Sequence, residues 1–292
     1  MRIVVLGATG TIGAALLPLL AEEHEVVAIS RRPHPESAGV RWTQADAADA
    51  ASLHQAFAGA DVAYYLVHSL GTPDFAERDR QAASVVAQVA EQEGLHQLVY
   101  LGGLGDQSPE LSRHLRSRAE TAEVLASGPV PVTTLRAAMV IGAGSAAFET
   151  IVALVDRLPG MLCPRWVSTP TQPIALADVT AYLAAAAGDE QMLGGSFDAG
   201  GPDVMTYREM IERIALIRGK HPLIVEVPVL TPRLSSYWLN LVTPVRASVA
   251  RPLIEGLRNA TVAGDDRIRR LIPLQLHPFD DAARTALAER RG

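Results

Sequence analysis

Gly7-Ala8-Thr9-Gly10-Thr11-Ile12-Gly13 follows directly on the apolar run Ile3-Val4-Val5-Leu6 and leads into Ala14-Ala15-Leu16-Leu17. A continuous apolar run of that kind is the strand type buried on both faces of a parallel sheet. The three glycines have separate tasks. Gly7 permits a tight exit from the strand, Gly10 lets the backbone approach a pyrophosphate, and Gly13 lets the following helix pack close to the sheet. The start of that helix presents unpaired N–H groups to a phosphate, and Thr9 and Thr11 add hydroxyls beside Ile12. A glycine triplet alone is weak evidence; a strand before it and a helix after it make it informative. The alternative is a tight strand-to-helix corner with no ligand.

Working outward, short apolar runs alternate with helix-like stretches. Expected strands are Ile3–Leu6, Glu25–Ile29, Val40–Gln44, Val62–Val67, Gln97–Leu101 and Val132–Leu135. Expected helices are Thr11–Glu23, Ala48–Phe57, Asp74–Glu93 and Leu111–Ala126. Right-handed crossovers through such helices build a doubly wound α/β sheet of the Rossmann type. A dinucleotide-binding domain is expected over 1–160, with a smaller C-terminal substrate lobe over 161–292 packed on it.

The second half reads less regularly. Ile174–Ala187 is a strand end running into an Ala-rich helix, and Ser196–Ala199 is a short strand flanked by glycines. Thr206-Tyr207-Arg208-Glu209 forms a capping box that opens the helix Tyr207–Arg218. Leu223–Val227 looks like another strand. The stretch 228–244 is apolar for a surface segment. It reads as lobe core, or as the wall of a substrate pocket, or as a contact with a protein partner or a membrane surface.

Composition narrows the function classes. Lys and Arg number 26 against 32 Asp and Glu, a formal net charge of −6. A phosphate backbone attracts basic surfaces, so nucleic acid is not an expected partner. The one cysteine, Cys163, cannot form an internal disulfide, and no cluster has metal-ligand spacing. A reducing cytoplasm is the simple reading. The chain opens at once on a strand, and no apolar run approaches the ~20 residues of a membrane helix. A soluble protein is expected.

The exit of the second strand bears on the choice of dinucleotide. An acidic residue there bonds the ribose 2′-OH of NAD, whereas arginine accommodates the 2′-phosphate of NADP. In this chain the exit reads Ile29-Ser30-Arg31-Arg32. No carboxylate stands at the strand end, and two guanidiniums able to fork a phosphate follow. NADP(H) is therefore preferred, with NAD(H) possible; the alternative is a pair of solvated loop charges. Asp46 either bonds the adenine amino group or caps a helix or turn. Leu66-Val67-His68 and Leu101-Gly102-Gly103 end the fourth and fifth strands, where open α/β sheets bind ligands.

The glycine turn resembles that of the atypical and extended short-chain dehydrogenases/reductases. Gln172-Pro173-Ile174-Ala175-Leu176-Ala177-Asp178-Val179 and Phe197-Asp198-Ala199-Gly200-Gly201-Pro202, with Thr206–Met210 after them, are similar to later segments of that superfamily. Within it the chain looks most like the NmrA-like and NAD(P)H-binding groups, and like the nucleotide-binding subunit of respiratory complex I. The resemblance runs from Arg2 to about Arg218. It implies carbonyl reduction by a Tyr-x-x-x-Lys pair on one helix plus a Ser at the fifth strand. This chain departs from that pattern. His114 and Arg118 stand where Tyr and Lys are expected, and Gly102-Gly103 replaces the Ser. His114 as proton donor and Arg118 on the ribose form a chemically workable pair; two polar helix residues without a proton-transfer role are the alternative. His68, Tyr64, Tyr65 and Tyr100 read first as backbone-bonded or packed side chains. The residues after Arg136, Ala137-Ala138-Met139, leave room for a nicotinamide ring, with Met139 as pocket wall or core filler.

Two functions remain. One is an NADPH-dependent oxidoreductase acting on a small, partly apolar carbonyl or quinone. The other is a non-catalytic dinucleotide-binding sensor or assembly subunit.

Overall fold

The computed structural model describes residues 1–36, 39–72, 74–105, 111–227 and 256–290. The apolar segment 228–244 lies outside the described residues. The central strands are β1 (Arg2–Leu6), β2 (Glu25–Ser30), β3 (Val40–Gln44), β4 (Val62–Tyr65), β5 (Gln97–Gly103) and β6 (Val132–Ala137). They pair in parallel in the order β3-β2-β1-β4-β5-β6. A seventh strand, β7 (Ser196–Ala199), extends the sheet beyond β6, also parallel. This is the Rossmann architecture. The glycine-flanked strand expected in the second half is thus an outer strand of the main sheet.

Side chains alternate across the pleat. Ile3 and Val5 join a core on one face, Val4 and Leu6 a core on the other. The first face is covered by α1 (Thr11–Ala21) and α6 (Leu176–Ala185), through Leu16, Leu20, Val179 and Leu183. The second is covered by α2 (Ala50–Phe57), α3 (Phe75–Gln92) and α4 (Arg113–Leu125), through Leu53, Phe57, Val86, Val89 and Leu125.

Strand ends differ from expectation in an informative way. β4 stops at Tyr65 instead of Val67. The Leu66 amide still donates to the Leu6 carbonyl at 3.0 Å, but β1 ends at Leu6, so the chain past Leu66 has no β1 partner. β5 and β6 run on to Gly103 and Ala137, two residues beyond Leu101 and Leu135, because each supplies the other's ladder.

A third core lies in the second half. It joins α5 (Ala146–Arg157), α7 (Tyr207–Ile217) and the last helix, α9 (Phe279–Glu289), through Phe148, Val152, Met210, Ile214, Phe279 and Ala283. Between α7 and α9 the short helix α8 (Arg267–Leu271) sends Ile268 into the first core instead. The expected capping box opens α7: Thr206 Oγ1 accepts from the Glu209 amide at 3.2 Å, and Glu209 Oε2 accepts from the Thr206 amide at 2.6 Å. The expected strand Leu223–Val227 pairs in parallel with Gly160–Pro164.

The segment 256–272 returns to the sheet and ties the halves together. The Arg269 guanidinium donates to the Gly200 and Gly201 carbonyls at 3.0 and 2.5 Å. Asn259 Oδ1 accepts from the Ser112 amide at 3.1 Å, at the start of α4. The buried Asp198 of β7 contacts Arg136 of β6 at 2.6 Å and accepts from the Gly264 amide at 2.7 Å.

Candidate cofactor and hydride site

The turn after β1 is built by close backbone contact. Gly7 has φ +85°, and a Cβ there would lie 2.7 Å from the Leu66 carbonyl oxygen. A Cβ on Gly13 would lie 2.3 Å from the Gly7 oxygen. The Gly10 amide donates to Gly7 O at 2.9 Å, which closes the corner. Gly10 then caps α1 with no side-chain hydrogen bond, and the first turn carries no acidic residue. Backbone donors of that turn are left facing outward, the arrangement that receives a phosphate. Thr9 is exposed beside them. The Thr11 hydroxyl donates to the Gly144 carbonyl at 3.0 Å, where the loop before α5 passes over the first turn.

Ser30, Arg31 and Arg32 leave β2 on the same edge of the sheet. Both arginine side chains are exposed. The Ser30 hydroxyl accepts from the Arg32 amide at 3.2 Å, and Gln44 Nε2 donates to the Arg31 carbonyl at 3.2 Å. The loop backbone is thereby fixed while the guanidiniums point to solvent. Asp46 lies just past β3. One of its oxygens accepts from the Ala48 amide at 3.0 Å, so it makes a turn; Asp49 is the residue that caps α2.

Leu66-Val67-His68 and Leu101-Gly102-Gly103 come together at the carboxyl ends of β4 and β5, and α4 brings His114 and Arg118 to the same place. Arg118 is the hub. Its Nη2 donates to the Leu101 carbonyl, and its guanidinium stacks 5.1 Å from the Tyr100 ring. Burial first, then Arg118 and His68, push the His114 imidazole down to about 3. His68 is exposed at the cleft, and the surrounding protein and Arg118 lower it as well. His114 is therefore neutral at neutral pH and carries no ready proton of the imidazolium kind. Gly102 and Gly103 leave little room for a serine: a Cβ would meet Tyr100 Cε1 at 3.3 Å and Leu115 Cδ2 at 3.1 Å respectively.

The tyrosines pack as expected. Tyr64 donates to the Leu183 carbonyl at 2.7 Å and Tyr100 to the Arg118 carbonyl at 3.1 Å; Tyr64, Tyr65 and Tyr100 are fully buried, and burial raises all three phenols. Met139 packs, half-buried, against the third core. The part played by Asp198 has no local signal in the sequence. Among the described residues no group of three or more His, Cys, Asp or Glu could hold a metal, and no helix is long and apolar enough to cross a membrane.

The depressed His114 sets a pH dependence of stability. Its folded value, about 3, lies below the ~6.5 of an unfolded chain. Between those values the unfolded chain binds a proton that the folded one refuses, so stability present above pH ~6.5 is lost as pH falls. The urea midpoint is expected to drop from pH 7.5 to 5.5, and His114→Gln to flatten that drop. An identical slope in both proteins would remove His114 as its source.

Residues 7–151 match the family model described as NAD(P)H-binding. The chain carries an NAD(P)H-binding domain. The match takes in the glycine turn, the β2 exit, both strand ends and α4, so the residues gathered above belong to this NAD(P)H-binding domain. A mitochondrial NADH dehydrogenase [ubiquinone] 1 alpha subcomplex subunit 9 from Arabidopsis thaliana is 26% identical over 239 residues, 77% of this chain. The chain spans only 60% of that relative's length. A (4-alkanoyl-5-oxo-2,5-dihydrofuran-3-yl)methyl phosphate reductase from Streptomyces griseus is 25% identical over 222 residues, 75% of this chain and 74% of the relative. Two solved structures share the fold. A Citrobacter triphenylmethane reductase complexed with NADP(H) superposes with a TM-score of 0.78 at 17% identity, over 98% of this chain and 100% of that one. An NADPH-dependent quinone oxidoreductase from Escherichia coli, complexed with NADPH, does so at 0.76 and 20% identity, over 97% and 98%.

Proposed function

We propose that the chain is an NADPH-preferring oxidoreductase that reduces a small, partly apolar carbonyl or quinone. One observation carries the reading: the uncapped start of α1 and the exposed Arg31 and Arg32 share one edge of the sheet, with no carboxylate at the β2 exit. A pyrophosphate suits the first and a 2′-phosphate the second. Gly7, Gly10 and Gly13, with Thr9, Thr11 and Ile12 beside them, cradle the pyrophosphate. Ser30 and Asp46 border the adenosine end. Leu66, Val67, His68, Leu101, Gly102 and Gly103 line the path to the nicotinamide, and Arg118 orients its ribose.

NADPH, when bound, supplies a hydride. The chain's own residues orient the acceptor and meet the negative charge that develops on its oxygen. Arg118 brings a fixed positive charge. With His114 neutral, the proton comes from water. That favours a quinone over a simple carbonyl. A reduced quinone is phenol-like, with a pKa of about 10, and persists as an anion until water protonates it; an alkoxide needs an acid at hand. Similarity to reductases supports this class of chemistry. The lone Cys163 fits a cytoplasmic setting, and in this reading 1–160 carries the cofactor and 161–292 the acceptor.

Calorimetric titration with NADPH and NADH tests the cofactor. Arg31→Ala with Arg32→Ala is expected to weaken NADPH by about tenfold or more, since charged hydrogen bonds contribute about 1.5–3 kcal/mol, and NADH far less. Equal weakening of both would sink the 2′-phosphate assignment. NADPH oxidation with a simple benzoquinone then tests the activity.

A second reading is a non-catalytic dinucleotide-binding subunit. The absent Tyr/Lys pair favours it, as does the similarity to a protein named as an NADH dehydrogenase subunit. Tight NADPH binding without turnover on any quinone or aldehyde would decide for it.

A further inference from the structure

Asp79 places a carboxylate where α3 is otherwise apolar. It lies on the buried face of the helix with Phe75, Ala82, Ala83 and Val86, and is 4% exposed. Taking a carboxylate out of water is costly unless hydrogen bonds or charges compensate it. The compensation comes from Ser69, whose side chain hydrogen-bonds the carboxylate and whose amide donates to Oδ1 at 2.7 Å. Ser69 belongs to the loop that follows Leu66-Val67-His68, and its own carbonyl accepts from the Thr72 amide and hydroxyl, both at 2.9 Å. Burial holds the Asp79 carboxyl above the usual carboxylate range despite the Ser69 bonds and the charge of Arg118 on α4, and Tyr65 lies close by. The Tyr65 hydroxyl is buried with no hydrogen-bond partner among the described residues.

The location explains why the loop needs a fixed point. Leu66 is the last residue of this segment whose amide reaches β1, at the Leu6 carbonyl. His68 and its neighbours then cross the carboxyl edge of the sheet beyond the end of β1. A loop in that position drifts unless something outside it binds its backbone. The carboxylate of Asp79 does so from the helix that follows.

We infer that Asp79 is a positioning residue for cofactor binding: by accepting from the Ser69 amide it holds Leu66-Val67-His68 against the nicotinamide end of the site. The inference rests on the NADPH-binding reading of that site. It assigns no proton transfer to Asp79, which acts through the loop alone.

The test compares Asp79→Ala with Asp79→Asn, measuring NADPH affinity by fluorescence titration alongside the melting temperature. Asparagine keeps an oxygen opposite the Ser69 amide; alanine does not. Alanine is expected to weaken NADPH about tenfold, the weight of one charge-assisted hydrogen bond, and asparagine to restore most of that loss. Ser69→Pro removes the same bond from the loop side, leaves the interior of α3 untouched, and is expected to weaken NADPH similarly. Wild-type affinity in the alanine and proline variants overturns the inference, even if their melting temperatures fall. So does an asparagine variant that melts normally yet binds as poorly as alanine. Hydrogen exchange at the Ser69 amide, read without cofactor, separates the two levels. A fast-exchanging amide in the wild type overturns the anchor itself. A protected amide in a protein that binds neither dinucleotide overturns the cofactor reading first, and leaves Asp79 a structural residue only.

Discussion

Gly13→Ala is expected to cost about 100-fold in NADPH affinity, from the addition of a single methyl group. The added Cβ would sit 2.3 Å from the Gly7 oxygen, 2.7 Å from the Ala8 Cα and 2.9 Å from the Gly7 carbonyl carbon. All three are backbone atoms, so no rotamer change relieves the contact. The start of α1 must move away from β1, and its free backbone donors move with it. Losing two charge-assisted hydrogen bonds to a phosphate, at about 1.5 kcal/mol each, costs on the order of 100-fold. Overpacking adds about 1–3 kcal/mol of lost stability. Gly128→Ala is the internal control, because a Cβ there meets nothing within 4 Å. It should leave affinity unchanged. If Gly13→Ala binds NADPH as the wild type does, the helix start is not the phosphate site.

The second large effect is expected at Arg136. Its guanidinium lies 2.6 Å from Asp198, with side-chain exposures of 11% and 4%. Arg136→Met would leave a buried carboxylate facing hydrocarbon, with the Gly264 amide still donating to it at 2.7 Å. Breaking one side of a buried pair costs about 3–5 kcal/mol, largely because the remaining charge is stranded. Asp198→Asn in the same background removes that charge and keeps an acceptor for Gly264. The double variant should recover most of the loss in urea denaturation. Additive losses from the two single changes would show that the pair is not coupled, and would refute an ionic tie between β6 and β7.

Much of the nucleotide-binding half is legible because its signals are local. Strand Ile3–Leu6, the glycine corner and the apolar faces of α1 to α4 are each written in a few consecutive residues, and hydrophobic periodicity reports them. The capping box at Thr206 is legible for the same reason: its donors and acceptors lie within four residues. The place of Ser196–Ala199 is not. Nothing within SFDA says that its partner is β6, and only the crossover through α6 settles the pairing. Helix α5 does carry a readable stripe, Phe148, Ile151, Val152 and Val155, at the i, i+3, i+4, i+7 spacing. It falls after Val132–Leu135, where the regular alternation of strands and helices stops directing attention to the next element.

The site residues divide along the same line. Gly7, Gly10 and Gly13 announce themselves by spacing within one turn. Asp79 does not, since an aspartate on a helix reads as a solvated charge until the fold turns it inward toward Ser69. His114 and Arg118 are visible as a pair one turn apart. The neutral state of His114 comes from burial and from Arg118 and His68 together, which no local pattern contains. The bond from the Thr11 hydroxyl to Gly144 is not legible either, because the two lie 133 positions apart in the chain.

The bond from the Ser112 amide to Asn259 spans 147 residues. A ribosome releases α4 long before it releases the side chain that ties down its N-cap residue, so this end of the candidate site is finished late in the life of the nascent chain. Contacts of such long separation carry a large loop-closure cost before they give anything back. The glycine corner, closed by contacts among residues 7–13, forms early. Refolding should therefore show the nucleotide half regaining its helices well before the bond from Ser112 to Asn259 re-forms.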